Sequence, residues 1–450
     1  MNLTSIKFLL LSYVSIALIG AVLLSLPFSH TTNIDFIDAF FTSVSALACT
    51  GLIIKDTALD FTPIGHGILL FLIQLGGFGY MTMLGLIYML LRKKLSNAEK
   101  NMLKEALSHP QNNGLTNFIK QILVFVLVIE SIGAILLSLD FGVRYGFADG
   151  IWYGVFHAIS AFNNGGFSIF PDSLMDFRSD IMVNFVICAL SILGGVGHVF
   201  LAELNLFIQK KLHTPTSKKQ HMFSLHFKIV FYVSLLLTVL GALMVLSFEW
   251  NNAETFGTFG TFEKVLASLF TSINLRSAGF VTYDVSNLHN STLFFSVFFM
   301  FIGGAPGGTA GGIKVTTFAV IFAFSRSILN YSEPRLFKRS IANESVQKAI
   351  TIFLISGFYF LILALLLTLF ESDIDFGPLM FEVSSAFSNV GLSMGDGGIL
   401  SLSANFNDMG KILIIIAMSL GKIGVIVFTL ALFGRGSMSR VRYIPEKIIL

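Results

Sequence analysis

A segment built around one glycine occurs four times in this 450-residue chain. Each copy begins with Phe, continues as a short and partly polar stretch, and ends at a Gly followed by Leu or Phe. The glycines are Gly51, Gly166, Gly279 and Gly391, at intervals of between 112 and 115 residues. A constant interval along a whole chain indicates internal duplication, so we interpret the chain as four repeats of one unit.

The composition indicates what surrounds these repeats. Hydrophobic residues make up 54% of the chain and charged residues only 12%, whereas soluble domains are about 25% charged. The chain is therefore expected to be an integral membrane protein. Its two cysteines, Cys49 and Cys188, lie in apolar segments, which excludes a disulfide framework and a cysteine-based metal site.

Eight apolar runs are long enough to span a membrane, and each pair of runs brackets one copy of the glycine segment. The runs lie near residues 8–28, 65–92, 117–139, 181–209, 227–248, 291–328, 346–370 and 409–434. The predicted fold is all-α and integral to the membrane, with four tandem helix–pore helix/loop–helix repeats, eight transmembrane helices, and one central pore of pseudo-fourfold symmetry. The predicted repeats are 1–104, 105–219, 220–340 and 341–450, the last of which includes the C-terminal tail.

The distribution of charge predicts the orientation. The linkers between repeats and the tail are rich in Lys and Arg, which places them and both termini in the cytoplasm. The loops around the glycine segments are acidic instead, and an acidic mouth raises the local concentration of cations. The alternative remains that outer loops are simply poor in Lys and Arg.

The glycine segments themselves point to a path for cations. Non-helical backbone at membrane depth is tolerated only inside protein or beside a water-filled cavity. Glycine adopts backbone angles that let successive carbonyl groups point the same way, and a ring of carbonyl groups can replace the hydration shell of a cation. The short helix before each glycine directs its negative C-terminal end toward the same place. The competing interpretation is four loops that only pack the bundle.

The four motifs resemble those of the Trk/Ktr/HKT superfamily of potassium transporters, and within it the membrane subunits of Ktr uptake systems. Together the motifs are specific, and the resemblance covers essentially the whole chain. It implies a potassium selectivity filter formed by Thr50, Gly51, Asn164, Gly165, Gly166, Ser277, Ala278, Gly279, Asn389, Val390 and Gly391. Members with Ser at the first filter glycine tend to pass sodium, so four glycines imply potassium selectivity.

A second glycine-rich element follows each filter by 24 to 30 residues. In three repeats a few glycines are expected to allow close helix approach. In the third, residues 303–312 contain six Gly and a Pro and cannot form a regular helix. The resemblance implies that this stretch is an intramembrane gating loop, and a packing kink is the alternative. The predicted gating residues are Gly303, Gly304, Gly307, Gly308, Gly311, Gly312, Lys314 and Lys422.

Isolated charges within apolar segments are costly and usually functional. Lys422 occupies a position where the family commonly has a pore-facing Arg, so the charge is kept but the planar fork is lost. Lys314 is expected either to line the inner vestibule or to extend toward the membrane surface. Glu130 is expected to hydrogen-bond backbone near a filter, and Arg276 to brace the third filter loop through its carbonyl groups.

The resemblance also implies partners and a location. It implies a homodimer in the bacterial plasma membrane, above a cytosolic RCK-type ring that binds nucleotide. The expected contact surfaces for the ring are residues 326–348 and 210–219, and the tail at 440–445 is expected to lie in the dimer interface. These basic loops could instead contact lipid headgroups. Potassium is the expected transported ion, with sodium as a second candidate, and neither a covalent cofactor nor nucleic acid is expected.

Two other function classes compete with a channel-like subunit. A sodium- or proton-coupled symporter with alternating access usually has inverted repeats, whereas these four repeats share one orientation. A membrane-embedded enzyme or redox subunit would need ligand histidines or catalytic carboxylates in a recognisable arrangement. The sequence has no such arrangement, so we expect a transporter that is not an enzyme.

Overall fold

The structure is a computed structural model that describes residues 3–79, 115–213, 223–395 and 399–434. These residues form fifteen α-helices, two short 3-10 helices and one two-stranded hairpin. The predicted all-α architecture is therefore confirmed. The first repeat contains α1 (Leu3–Leu24), α2 (Phe36–Ala48) and α3 (Pro63–Phe78).

Each of the other three repeats also begins with a long helix, which is followed by a shorter helix and then by two further helices. The second contains α4 (Leu115–Tyr145), α5 (Phe147–Phe162), the 3-10 turn Met175–Phe177, α6 (Ile181–Gly195) and α7 (His198–His213). The third contains α8 (Leu225–Glu249), α9 (Thr261–Asn274), α10 (Asn290–Met300) and α11 (Val315–Leu329). The fourth contains α12 (Asn343–Phe370), α13 (Phe376–Ser388), the 3-10 turn Leu402–Asn405, α14 (Asp408–Ile423) and α15 (Val425–Phe433).

The short helices α2, α5, α9 and α13 are the predicted pore helices, and they form the buried centre of the bundle. The phenylalanine that opens each repeated segment is at most 1% exposed in all four: Phe41, Phe156, Phe270 and Phe381. Lipid is as apolar as these rings, so tight packing rather than escape from water holds them in place. Truncating one to Ala is expected to cost about 3–5 kcal/mol.

Three described helices are long and apolar enough to cross a membrane singly, namely α4, α8 and α12. Up to five spans result if each of two sharply bent helix pairs counts as one, and α1, α3, α10 and α11 are shorter apolar helices. The predicted runs 181–209 and 409–434 are wrong as continuous helices, because they bend by 102° and 108°. Gly197 and Gly424 lie at the bends with φ of 86° and 91°, which L side chains rarely adopt.

The predicted interruption in the third repeat is confirmed. Between α10 and α11 the chain leaves the helix, and Gly303 N donates to Ile313 O (2.9 Å) while Ile313 N donates to Phe301 O (3.1 Å). These bonds close the base of a loop, residues 301–314, that returns to where it began. We call this segment the intramembrane loop.

A hairpin follows α11, with β1 (Arg335–Leu336) antiparallel to β2 (Arg339–Ser340). The repeat boundary at 340/341 lies just after it and stays a prediction. The boundaries at 104/105 and 219/220, most of the 210–219 linker and the 440–445 tail lie outside the described residues.

Candidate functional site

The four repeated glycines lie around one common point. A Cβ added to Gly51 would lie 2.7 Å from Gly165 O, and one added to Gly166 would lie 3.1 Å from Ala278 O. One added to Gly279 would lie 2.7 Å from Val390 O. One added to Gly391 would overlap Thr50 O, so the contacts run from each repeat to the next and close into a ring. No larger residue fits any of the four positions without displacing the neighbouring repeat.

The backbone follows the same unusual path in all four repeats. The filter glycines all have φ between 71° and 94°. The residue two positions earlier is also left-handed although it carries a side chain; these residues are Cys49, Asn164, Ser277 and Asn389. A left-handed conformation costs a non-glycine residue about 1–2 kcal/mol. All four repeats therefore have the same strained backbone, in which two residues with positive φ flank one residue without it.

The carbonyl groups of those intervening residues contribute the oxygen atoms of the ring. They belong to Thr50, Gly165, Ala278 and Val390, and each lies against the filter glycine of the adjoining repeat. In the described ranges, no donor hydrogen-bonds to any of the four oxygens. A buried carbonyl oxygen without a donor is costly unless something else satisfies it, and a cation can do so.

Pore-helix side chains brace the filters from behind. Ser45 Oγ donates to Leu52 O (2.7 Å) and Ser160 Oγ donates to Phe167 O (2.8 Å). In the fourth repeat Gly391 N donates to Ser385 Oγ (3.0 Å). The third repeat uses Asn274 instead, whose Oδ1 accepts from the N–H after the filter glycine (3.0 Å). Each serine lies six residues before its filter glycine, a regularity that the sequence analysis missed although the repeats display it.

A narrow pocket of about 60 Å³ opens onto the ring and is lined by all four filter glycines. Asp56 and Asp284 line the same pocket, so one face of the ring is acidic. Asp56 accepts hydrogen bonds from Ala58 N (2.8 Å) and Leu59 N (3.3 Å). Burial raises the pKa of the Asp56 carboxyl above its usual value, and these two bonds oppose the shift.

The intramembrane loop adjoins the residues that precede the filter glycines. Gly311 N donates to Ser277 Oγ (3.2 Å). In the amide orientation that satisfies its neighbours, Asn164 Oδ1 accepts from Thr309 Oγ1 (2.6 Å) and Asn164 Nδ2 donates to Ser277 O (3.2 Å). The loop therefore contacts the second and third filter segments directly.

Three cationic side chains donate to carbonyl groups of this loop. Lys314 Nζ donates to the carbonyl oxygens of residues 310 (2.6 Å) and 311 (3.3 Å), and Lys422 Nζ donates to Thr309 O (2.9 Å). Arg276 donates to Gly303 O (3.4 Å) and to Ser234 O (3.1 Å). The prediction that Arg276 braces the filter loop is wrong, because its guanidinium reaches the intramembrane loop and α8. Among the described residues none of the three forms an ion pair.

The loop also fills the space between the second and fourth repeats. Its Ala305 N donates to Gly195 O (2.9 Å), and its Thr309 N donates to Gly194 O (3.1 Å). On the other side, a Cβ at Gly311 would overlap the side chain of Asn389. The loop that contains the predicted gating glycines therefore contacts the filter segments, and both predicted lysines donate to carbonyl groups of this loop.

Glycines in the helices after the filters pack against the pore helices. A Cβ added to Gly76, Gly194 or Gly421 would overlap a pore-helix carbonyl oxygen, respectively that of Leu47, Phe162 or Phe387. Each of these carbonyl groups lies four residues before a filter glycine. This agrees with the close helix approach expected for these elements.

Two buried carboxyl groups support the site. Glu382, fully buried in α13, accepts from Ser393 Oγ (2.5 Å), Ser403 N (3.1 Å) and Ser403 Oγ, and so ties the pore helix to the segment after the filter. The sequence did not predict a role for Glu382. His157 is its counterpart in the second repeat, and it also contacts a hydroxyl group eleven residues further along the chain. Glu130 accepts from Asn163 Nδ2 (2.8 Å), so its partner is a side chain rather than the predicted backbone.

Residues 3–436 match the family described as TrkH, cation transport protein. The chain is 37% identical over 430 residues to the "Ktr system potassium uptake protein B" of Bacillus subtilis, covering 95% of this chain and 92% of that one. It is 32% identical over 460 residues to the "Potassium/sodium uptake protein NtpJ" of Enterococcus hirae, covering 100% and 98%.

A solved structure shares the fold. The crystal structure of the potassium transporter TrkH from Vibrio parahaemolyticus superposes with a TM-score of 0.74, covering 96% of this chain and 85% of that one, at 19% sequence identity. Identity at this level shows the fold alone, and it confirms the predicted membrane architecture.

Proposed function

Because this chain belongs to the TrkH cation transport protein family, we propose that it takes up potassium across the cell membrane as a transporter of the Trk/Ktr type. The two relatives named above are called a potassium and a potassium/sodium uptake protein, and they align over more than nine-tenths of their length. The single observation that carries the proposal is the closed ring of four carbonyl groups without donors.

The ring acts as the selectivity filter. A potassium ion that enters it exchanges hydration water for the carbonyl oxygens of Thr50, Gly165, Ala278 and Val390. The four pore helices end just before the filters, so their partial negative charges add to the attraction. The acidic pocket on one face supplies cations to the ring.

The intramembrane loop acts as the gate. It is rich in glycine, lies next to the ring, and is held by hydrogen bonds from three cations to its carbonyl groups. Segments with few apolar side chains open at low free-energy cost, which suits a moving part. Cations beside the path also raise the energy of a potassium ion while the loop is closed.

A coupled carrier is the second candidate. The relative from Enterococcus hirae is named for both potassium and sodium, which favours testing sodium as a transported or coupled ion. All four filter positions are glycine here, and the resemblance links that pattern to potassium. We therefore propose potassium as the principal ion.

The assembly and location follow from the same resemblance. We propose a homodimer in a bacterial plasma membrane, with both termini cytoplasmic and a nucleotide-binding RCK-type ring on the cytoplasmic side. Three relatives carry the name of a Ktr system, which implies more than one component.

Rubidium uptake into liposomes that contain the purified chain tests this function. We expect uptake that external potassium suppresses at far lower concentration than sodium does. Protein-free liposomes provide the control for leakage. Equal suppression by both ions would contradict potassium selectivity, and uptake that needs a sodium gradient would favour the coupled carrier.

A further inference from the structure

A large basic groove lies where α11 ends, away from the ring. It has a volume of about 820 Å³, and its lining includes Arg326, Arg335 and Lys338. The carboxylate of Glu333 also lines it, so its formal charge is +2, from three cations and one anion. Among the described residues none of the three cations forms an ion pair. Excess positive charge without a partner on the chain favours an anionic ligand.

The remaining lining residues suit a phosphate group. The hydroxyl groups of Ser332 and Ser340 and the amide of Asn330 can all donate hydrogen bonds. Guanidinium groups match the geometry of phosphate oxygens, and two of the three cations are arginines. The combination of charge and short donors is typical of a phosphate site rather than of a site for a carboxylate alone.

The surface beside the groove is apolar and exposed. Phe322 and Leu329 are 62% and 80% exposed, and with Arg326 they occupy positions i, i+7 and i+4 on one face of α11. Tyr331, just beyond the helix end, is fully exposed. An apolar helix face that ends in a cation and an aromatic ring is the pattern expected where a helix leaves the hydrocarbon and enters the headgroup region.

The hairpin turn holds its cation in an unusual backbone conformation. Phe337 and Lys338 link the two strands with φ of 48° and 63°, although neither is glycine. Two-residue turns of this kind normally carry Asn or Gly because of the strain. This strained turn places Lys338 in the lining of the groove. Phe337 packs against Tyr232 of α8, with 5.4 Å between the ring centroids.

We propose that this groove binds the phosphate headgroup of an anionic phospholipid such as phosphatidylglycerol. Basic pockets at the cytoplasmic ends of transmembrane helices are suited to such headgroups. The acyl chains would lie along the exposed face of α11. The binding claim depends only on the groove and this face, whereas any effect on transport rests on the proposed function.

The position of α11 connects the groove to the gate. The helix has fifteen residues, a length of about 22 Å, and it runs from Lys314 at the end of the intramembrane loop to the groove. Val315 N also donates to Gly304 O (3.0 Å), which fixes the start of α11 to the loop. A headgroup that holds the far end of α11 therefore restrains the helix on which the loop is mounted.

Lipid retention by the full chain in detergent micelles, measured by native mass spectrometry, tests the site. Arg335→Gln removes a lining cation, and Arg339→Gln removes a cation of the same hairpin that does not line the groove. We expect Arg335→Gln to weaken phosphatidylglycerol retention about fivefold, with Arg339→Gln within twofold of the native chain. Phosphatidylcholine retention should be the same for all three. Equal losses from both substitutions, or equal retention of the two lipids, would overturn the proposal.

Two further measurements are needed. One distinguishes a lipid headgroup from soluble phosphate as the ligand, and the other distinguishes failure of this proposal from failure of the proposed function. Inorganic phosphate added as competitor should leave phosphatidylglycerol bound, and its displacement of the lipid would show a site for soluble phosphate instead. Rubidium uptake by native chain should differ between phosphatidylglycerol and phosphatidylcholine liposomes, and Arg335→Gln should reduce that difference. If the native chain takes up rubidium but Arg335→Gln retains phosphatidylglycerol as the native chain does, this inference alone is wrong. If Arg335→Gln loses phosphatidylglycerol but the native chain takes up no rubidium, the proposed function alone is wrong.

Discussion

The ammonium group of Lys422 lies 2.9 Å from the carbonyl oxygen of Thr309 and donates a hydrogen bond to it. Lys422 belongs to α14 of the fourth repeat, whereas Thr309 lies in the intramembrane loop of the third. A single carbonyl acceptor suits a point charge, so this contact does not need the planar fork of the arginine that the family commonly has here. The contact ties the proposed gate to the fourth repeat.

Removing this contact should open the gate. Hydrogen bonds from charged groups are worth about 1.5–3 kcal/mol, so Lys422→Met should raise rubidium uptake into liposomes about tenfold or more. Lys422→Arg keeps a charged donor and should stay close to native. Lys411→Met removes a lysine from the other end of α14, where it pairs with Asp38 at 2.7 Å, and controls for loss of charge. Native uptake in Lys422→Met would count against the gate.

Gly51→Ser should weaken ion discrimination. Its Cβ would lie 2.7 Å from Gly165 O, and its φ of 94° disfavours any side chain. Strain of about 1–2 kcal/mol in one quarter of the ring should lower the potassium-to-sodium selectivity about tenfold. Gly67→Ser is the matched control, because a Cβ there meets open space. For both variants the selectivity is measured as the competition of potassium and sodium with rubidium uptake. Unchanged selectivity in Gly51→Ser would contradict the assignment of the first repeat to the filter.

Glu382→Gln should destabilise the protein. The carboxylate accepts hydrogen bonds from Ser393 and Ser403. In the glutamine side chain an NH₂ group would replace one of these acceptor oxygens and would face the donor groups of the serines. We expect a loss of about 1–3 kcal/mol, seen as a lower thermal midpoint in detergent. Glu344→Gln, at an exposed glutamate of α12, should change the midpoint little. Equal midpoints for the two variants would show that the buried carboxylate does not hold the filter segment.

Acidification should reduce uptake from dilute potassium. Burial raises the pKa of Asp56, so this carboxyl becomes neutral at a higher pH than an ordinary aspartate as the pH falls. The mouth pocket then loses one negative charge, which should lower uptake about two- to threefold. Asp56→Asn should lower uptake at high pH and flatten its pH dependence, whereas Asp373→Asn, outside the pocket, should not. A pH profile in Asp56→Asn that matches the native one would show that the Asp56 carboxyl group does not cause the pH dependence of uptake.

Much of the architecture was predictable because the repeats are periodic. The interval between Gly51, Gly166, Gly279 and Gly391 identified four equivalent backbones, and equivalent backbones in parallel repeats meet on one axis. Six glycines between residues 303 and 312 were enough to exclude a helix there.

The sequence did not predict features that depend on one backbone angle or on a distant partner. The bends at Gly197 and Gly424 were missed because a few glycines in an apolar run are compatible with close packing of a straight helix as well as with a break. The partners of Arg276 were missed because 27 residues separate it from Gly303, and sequence spacing does not show which carbonyl group a long side chain reaches. The serines behind the filters were predictable, since Ser45, Ser160 and Ser385 share one register.

The most direct test of the ring is the anomalous scattering of rubidium in crystals of this chain grown without potassium. The account predicts a peak on the axis between the carbonyl oxygens of Thr50, Gly165, Ala278 and Val390, which disappears when rubidium is exchanged for sodium. Rubidium bound elsewhere in the protein, with none at these four oxygens, would contradict it.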